Sequence, residues 1–357
     1  MKVAAGLAAA LATMAFSAAA DVTVMSWGGE YGRAQTKAHV IPFASRTGIP
    51  TRMVDSDNLA LSIRAMVEVG NVTVNVASVE YSDAIRLCRD GLLEPIDFTD
   101  LPPGNDGTPA TEDFLDGAVT DCGVSTDIWS TVFAFNYLML PGTVPSTAAD
   151  FFDLDKFPGR RGLRRDPKSV LEFALLADGV SPSEVYEVLN SPSGVDRAFE
   201  KLDTIKAETI FWETGGQPAQ LLEAGEVVMT TAYNPRMFVA VVVDRKPFRI
   251  VWDGQIWEND MYVVPKGAPN KDQAIEFIAY ATSTEGLRAQ TQQIPFGPSR
   301  RSSMADELIY KDGRTVMAPL LPTYPENLAN GLASNVVFWV AKEAELNERF
   351  NTWLATN

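Results

Sequence analysis

Short apolar runs alternate with helical patterns along the first part of the chain beyond position 20. Asn58 is placed to cap one helix, in which Leu59, Ile63, Met66 and Val67 recur at helical spacing. This β-α-β-α-β order predicts a parallel sheet with crossover helices, and ligands of such sheets bind beyond the carboxyl ends of the strands. The predicted strands lie at 22–25, 51–54 and 72–79, and the other predicted helices lie at about 31–45 and 81–89.

Similar patterns continue after a Pro- and Gly-rich surface loop at 101–109. The apolar run from Ile128 to Leu140 predicts a buried strand that passes between two lobes, and Ser181 is placed to cap a later helix. Because a chain of 357 residues is longer than a single hydrophobic core usually accommodates, we expect two α/β lobes. The later predicted strands lie at 227–231 and 249–252, and the later predicted helices lie at 170–177, 183–190, 194–205, 272–281 and 336–354.

The first twenty residues have the pattern of a secretory signal peptide. Lys2 gives a positive start, Val3 to Phe16 is apolar, and Ala18 to Ala20 matches the small-residue cleavage rule before Asp21. The apolar run is too short for a membrane-spanning helix and has no polar face. No cysteine follows it, so we expect export without a lipid anchor.

The formal net charge of −16 argues against nucleic acid or an anionic membrane as a partner. It is compatible with a cationic ligand. Cys88 and Cys122 are the only cysteines. In an oxidising compartment this pair predicts a disulfide, and two separately buried thiols are the alternative.

The sequence carries no motif typical of catalysis or of metal binding. Its one histidine, His39, lies within a predicted helix and is expected to be a packing or surface residue. HExxH, GxSxG, the P-loop and the EF-hand loop are all absent from the sequence. We therefore expect a binding protein with no cofactor and no metal site, rather than an enzyme.

The segment from Trp252 to Asp260 combines indole rings with carboxylates and then enters the apolar run Met261 to Val264. Carboxylates beside aromatic faces suit an organic cation. The segment is equally typical of a loop whose tryptophans pack in the core and whose acids face solvent.

Four segments together resemble the solute-binding component of ABC importers, and more closely the spermidine/putrescine-binding protein family. They are Ser26 to Tyr31, Gly91 to Asp97, the pair Ala149 to Phe152 with Phe157 to Gly162, and Glu226 to Asn234. The resemblance implies a type II periplasmic binding protein, an α/β fold whose two lobes are joined by crossing strands around a ligand cleft. It implies one lobe from 21–132 and 261–300, and a second from 133–260 and 301–357.

The resemblance also implies a pocket for a polyamine-like cation. By this resemblance, three aromatic side chains would sandwich the methylene chain of the ligand, namely Trp27, Tyr31 and Tyr81. Two carboxylates would hold its amines, namely Asp260 and Asp166. The wall of the pocket would be completed by Tyr233, Trp257 and Phe296. Ser169, Glu258 and Phe296 depart from the polyamine pattern.

The functional prediction is a monomeric periplasmic receptor that delivers a polyamine or related amine to an ABC permease. One alternative keeps the transport role but changes the ligand to a carboxylated compound held by Arg164, Arg165 or Arg236. Another alternative is an exported hydrolase that uses Asp127 and Asp260.

Overall fold

The structure is a computed structural model that describes residues 21–356 apart from positions 98, 100, 141, 143 and 306. The predicted signal peptide lies outside the described residues. The described strands are β1 (Val22–Ser26), β2 (Thr51–Asp55), β3 (Val76–Glu80), β4 (Val119–Thr120), β5 (Gly123–Asn136), β6 (Arg161–Arg164), β7 (Thr209–Trp212), β8 (Met229–Tyr233), β9 (Phe248–Val263) and β10 (Leu332–Ala333). They form a sheet in the order β2-β1-β3-β9-β5-β8-β6-β7, with β10 beside β9 and β4 beside β5.

Helices cover both faces of this sheet. The described α-helices are α1 (Gly29–Gln35), α2 (Ile41–Thr47), α3 (Leu59–Val69), α4 (Tyr81–Arg89), α5 (Ala110–Asp113), α6 (Ala148–Phe152), α7 (Val170–Ala177), α8 (Val185–Leu189), α9 (Pro192–Asp203), α10 (Gln217–Glu223), α11 (Asn234–Phe238), α12 (Lys271–Ala281), α13 (Thr284–Thr291), α14 (Pro325–Leu328) and α15 (Val336–Ala355). Single π-helical turns at Thr36–Val40 and Val239–Val243 adjoin α1, α2 and α11. None of the helices in the described part of the chain has the length and apolarity to cross a membrane.

The parallel β-α-β-α-β unit predicted from the sequence is confirmed. β1 pairs in parallel with both β2 and β3. Asn58 caps α3, where its side chain accepts a hydrogen bond from the Leu61 N–H at 2.9 Å. The apolar faces of β1 and β3 pack on helices through Val24, Phe43 and Phe277, all fully buried. We call this half of the molecule the first lobe.

The second lobe is built on β6, β7 and β8. β6 pairs in parallel with both of its neighbours. Its core includes Phe133 of β5 and Phe173 of α7, and the long C-terminal helix α15 contributes Trp339 and Phe350. The lobe boundaries predicted from the sequence remain a prediction.

The antiparallel strands β5 and β9 run through both lobes. Val124 and Tyr262 belong to the core of the first lobe, whereas Phe133 and Val251 belong to that of the second. The prediction that residues 252–260 are a loop or separate segment before a strand is wrong, since they are part of one strand from 248 to 263. A register shift against β5 lies within this stretch, where Gly254 has φ 71°, a value that only glycine adopts readily.

Two local predictions have clear outcomes. Cys88 on α4 and Cys122 before β5 form a disulfide with a Cα–Cα distance of 5.8 Å. Ser181, predicted as a helix cap, does not cap α8, which begins after Glu184. The Ser181 hydroxyl instead pairs with that of Ser183 at 2.9 Å, within the loop before the helix.

Candidate functional site

Three carboxyl groups lie in a row across the middle of the sheet. Glu80, the last residue of β3, is directly opposite Asp260 of β9, and Asp260 is directly opposite Asp127 of β5. Directly opposed residues of antiparallel strands place their side chains on the same face. We call Glu80, Asp260 and Asp127 the carboxyl row.

Asp127 is held by hydrogen bonds from three different segments. Its Oδ2 accepts from the Tyr31 hydroxyl at 2.7 Å, the Thr126 hydroxyl at 3.0 Å and the Gln290 amide at 2.5 Å. Tyr31 comes from α1 and Gln290 from α13. The three donors therefore fix the carboxyl group in one orientation.

Burial acts strongly on this row. Asp127 is 1% exposed and Asp260 is 6% exposed. Burial raises the pKa of Asp127 to about 6. Burial, followed by the negative charge of Asp127, holds the pKa of Asp260 well above its ordinary value. Two buried acids in contact cannot both ionise without a cation, so the row is suited to receive positive charge.

Glu80 is the exposed end of the carboxyl row, and we call the region between this row and the second-lobe residues Arg164, Lys168 and Tyr233 the cleft. Much of its surface is open to solvent. Even so, surrounding protein removes part of its hydration and raises its pKa, and the charge of Glu258 adds to this effect. Lys168 and Arg164, which follow and end β6 of the second lobe, act in the opposite direction. Groups from both lobes thus meet at Glu80.

An aromatic wall stands beside the row in the first lobe. The Tyr31 ring packs edge-on against Trp27 at 5.3 Å between centroids and against Phe296 at 5.4 Å. Tyr81 directly follows Glu80 at the start of α4. The structure therefore brings Trp27, Tyr31 and Phe296 together at the Asp127 end of the carboxyl row, whereas Tyr81 lies at the Glu80 end.

The second lobe provides a more polar wall. Tyr233 ends β8 and packs edge-on against Trp129 of β5 at 5.5 Å. The Arg164 guanidinium lies 5.7 Å from the centre of the Tyr233 ring and forms an ion pair with Asp166 at 3.1 Å. Asp166 therefore already has one cationic partner, and its predicted role in holding an amine remains a prediction.

Lys168 brings a further positive charge to this wall. Its ammonium lies 2.7 Å from the Glu258 carboxylate, whose side chain is 3% exposed. Burial alone would lower the pKa of Lys168, but the negative charges of Glu258 and Glu80 raise it overall. Ser169, the next residue, takes a left-handed conformation with φ 68°, which is rare for a residue other than glycine.

Several predicted site residues lie elsewhere. Trp257 is separated from Asp260 by three positions of a regular strand, so its side chain points to the opposite face of the sheet. Arg165 is exposed and pairs with Glu213 at 2.8 Å, and Arg236 is exposed on α11. A surface depression beside the start of α12, lined by Lys271 and Ile275 among others, shares no residue with the carboxyl row.

His39 is a buried packing residue, one of the two roles predicted for it. Its ring nitrogens lie 3.1 Å from the Tyr262 hydroxyl and 3.1 Å from the Gly286 carbonyl oxygen. Burial lowers the pKa of His39 to about 4, so it is neutral at pH 7. Within the described residues no group of three or more His, Cys, Asp and Glu side chains is arranged to hold a metal ion.

Comparison with known proteins matches this architecture to one family. The family model described as bacterial extracellular solute-binding protein matches residues 39–355. The chain belongs to this family. A gamma-aminobutyric acid (GABA)-binding protein of Pseudomonas aeruginosa is 40% identical over 347 residues, which cover 96% of this chain and 94% of that protein.

Solved structures of solute-binding proteins agree with the family assignment. A structure described as a GABA receptor is 32% identical, has a TM-score of 0.76, and the match covers 94% of this chain and 98% of that one. An ABC transporter substrate-binding protein from Bradyrhizobium japonicum is 30% identical, has a TM-score of 0.79, and the match covers 94% and 99% of the two chains.

These findings confirm the predicted fold and the broad function. This solute-binding protein has the two-lobed α/β fold of ABC-transporter receptors and is not an enzyme, so the hydrolase alternative built on Asp127 and Asp260 is wrong. The narrower resemblance to spermidine/putrescine-binding proteins is not supported by the same comparisons.

Four residues of the site were missed by the sequence reading. Glu80 could have been found, since it ends a predicted strand where parallel sheets bind ligands. Trp129, Lys168 and Gln290 had no comparable signal, because each contacts a site residue that is distant in the sequence.

Proposed function

We propose that this solute-binding protein captures a small zwitterionic amine of the GABA type and delivers it to an ABC permease. The observation that carries the proposal is the separation of charge across the cleft. Glu80, Asp260 and Asp127 form no ion pair with any described basic side chain, whereas Arg164 and Lys168 stand on the other wall.

The carboxyl row supplies the amine end of the site. An ammonium about 4 Å from one carboxylate gains roughly 4 kcal/mol at an effective dielectric near 20, before the cost of desolvation. Each aromatic face beside it adds about 0.5–2 kcal/mol. Tyr31 and Trp27 lie beside the row and are positioned to pack against the methylene chain.

The second lobe supplies the carboxylate end. Arg164 and Lys168 are each paired with an acid, but each retains further N–H donors beyond those pairs. A ligand carboxylate would complete a network of alternating charges without displacing Asp166 or Glu258. This arrangement unites the amine and the carboxylate hypotheses raised by the sequence.

A polyamine fits this arrangement less well than a zwitterion. Putrescine and spermidine carry ammonium groups at both ends, so one would face Arg164 and Lys168. Glu258 could attract such a group, but its carboxylate is bound to Lys168 at 2.7 Å. The relatives whose descriptions name GABA point in the same direction.

Calorimetric titration with a matched set of ligands tests the proposal. GABA is compared with butylamine, butyrate, putrescine and spermidine. We expect GABA to bind roughly 10- to 100-fold more tightly than butylamine or butyrate, since a charge-assisted hydrogen bond contributes about 1.5–3 kcal/mol. Tighter binding of putrescine or spermidine than of GABA would return the function to polyamine capture, and no heat with GABA would reject it as a ligand.

A further inference from the structure

The Asp127–Asp260 contact cannot exist without a proton or another cation. The residues are directly opposite each other in the ladder, and both side chains are buried, with Asp127 1% and Asp260 6% exposed. Oδ2 of Asp127 already accepts three donors, whereas Oδ1 is buried and accepts no hydrogen bond from the described groups. Two ionised carboxylates buried side by side repel each other, so without a cation between them one of the pair carries a proton.

No basic side chain among the described residues forms an ion pair with Asp127 or Asp260. The acidic groups that face the pair are Glu80 from β3 and Glu258 from β9, and the phenolic hydroxyl groups are those of Tyr31 from α1 and Tyr262 from β9. Gln290 from α13 is neutral. Lys168 is held by Glu258, and Arg164 is held by Asp166. Within the described residues, a proton is thus the positive charge that allows both acids to be buried together.

We propose that Asp127 and Asp260 form a proton-exchange site, in which the ligand's ammonium replaces the proton that the two carboxyl groups share. This proposal rests on the proposed function and specifies the chemistry of its amine end. As the ammonium enters, its N–H groups donate to both carboxylates and the Asp260 proton leaves to solvent. One positive charge leaves as one enters, so the net charge of the pair and its occupant does not change.

Two consequences follow for selectivity. An analogue such as 4-hydroxybutyrate, which has a neutral hydroxyl in place of the ammonium, brings no positive charge to replace the proton and is disfavoured beyond the loss of a hydrogen bond. Affinity also depends on pH, because protons compete with the ligand. Each proton released weakens binding by about tenfold for each unit that the pH falls. Below about pH 6, where Asp127 also takes up a proton, the affinity falls more steeply with falling pH.

Calorimetry in buffers of different ionisation enthalpy measures the exchange directly. GABA is titrated into the wild-type protein at pH 7 in phosphate and in Tris, and the difference in heat gives the protons released. We expect release of about one proton per ligand. Glu80→Gln retains this release even where its affinity falls, whereas Asp260→Asn loses it. Binding of GABA to wild type with the same heat in both buffers overturns the proposal.

Infrared spectroscopy of the ligand-free protein separates this proposal from the choice of ligand. We expect a protonated carboxyl band at pH 7 that is present in wild type and Glu80→Gln but lost in Asp260→Asn. Buried Glu172, whose pKa is raised to about 7, contributes to the band in every variant and cancels in the difference. If GABA gives no heat, the function proposed above fails, whereas this band still shows whether the Asp127–Asp260 pair carries a proton. Its absence from wild type overturns the exchange site.

Discussion

Lys168 and Glu258 join the loop before α7 to the central strand β9 by an ion pair of 2.7 Å. They are separated by 90 positions in the sequence. The pair places a positive charge beside a buried carboxylate at the centre of the molecule and connects the wall of the second lobe to the floor of the cleft.

Replacing Lys168 by Met is expected to lower the free energy of unfolding by about 3 kcal/mol, because it leaves the Glu258 carboxylate buried without a partner. Urea denaturation at pH 7 measures the change. The double variant Lys168→Met/Glu258→Gln is the control and should recover most of the loss. Equal stability of wild type and the single variant would show that the pair contributes nothing.

Arg164→Gln is expected to weaken GABA binding by roughly 10- to 100-fold, the effect of removing a charge-assisted hydrogen bond to the ligand carboxylate. Binding of butylamine should barely change, since it has no carboxylate. Arg165→Gln is the matched control, because Arg165 is exposed and pairs with Glu213. Equal losses in the two variants would contradict the assignment of the carboxylate end.

Removing the disulfide by the double change Cys88→Ser/Cys122→Ser should cost about 4 kcal/mol of unfolding free energy, the chain-entropy value for a loop of this length. The bond ties α4, which begins with Tyr81, to the start of β5. Reduction of wild type should produce the same loss, whereas the serine variant should not respond to the reductant. A stable reduced protein would argue that packing alone holds α4.

The stability contribution of His39 should depend on pH. The unfolded chain takes up a proton on this residue below about pH 6.5, whereas the folded protein does so only near pH 4. Unfolding is therefore favoured as the pH falls through this window, by up to about 3 kcal/mol.

Urea denaturation of wild type and His39→Gln between pH 4.5 and 7.5 measures this contribution. The difference in stability should shift in favour of the variant as the pH falls. Asp127 and Glu172 act in the opposite direction, because burial raises their pKa values, but they are present in both proteins and cancel. A difference that does not vary with pH would mean that His39 titrates normally.

Local sequence patterns were enough to predict most of the helices and the parallel half of the sheet. α4 and α7 begin and end at the predicted residues, and the Asn58 cap is present. These features depend on spacing and capping within one segment. The strand β9 was predicted only in part, because polar residues such as Asp260 face the cleft and break the apolar pattern typical of a buried strand.

The site was harder to predict than the fold because it depends on the register between distant strands. The sequence reading found Asp260 and Tyr31, but it treated Asp127 only as part of a catalytic alternative. The Gln290 side chain reaches Asp127 across 163 positions. Trp257, placed in the cleft by resemblance, points away because of strand alternation, which no motif match takes into account.

Because β5 and β9 carry residues of the carboxyl row together with core residues of the two lobes, the sequences of these two strands have little freedom to change. A change of register there would move Phe133 and Tyr262 together with Asp127 and Asp260. The walls are built from strand ends and loops, where substitution disturbs less of the packing. Among descendants of one ancestral receptor, new ligand preferences should therefore arise at positions such as 164, 168 and 233, while the strand pair is inherited almost unaltered.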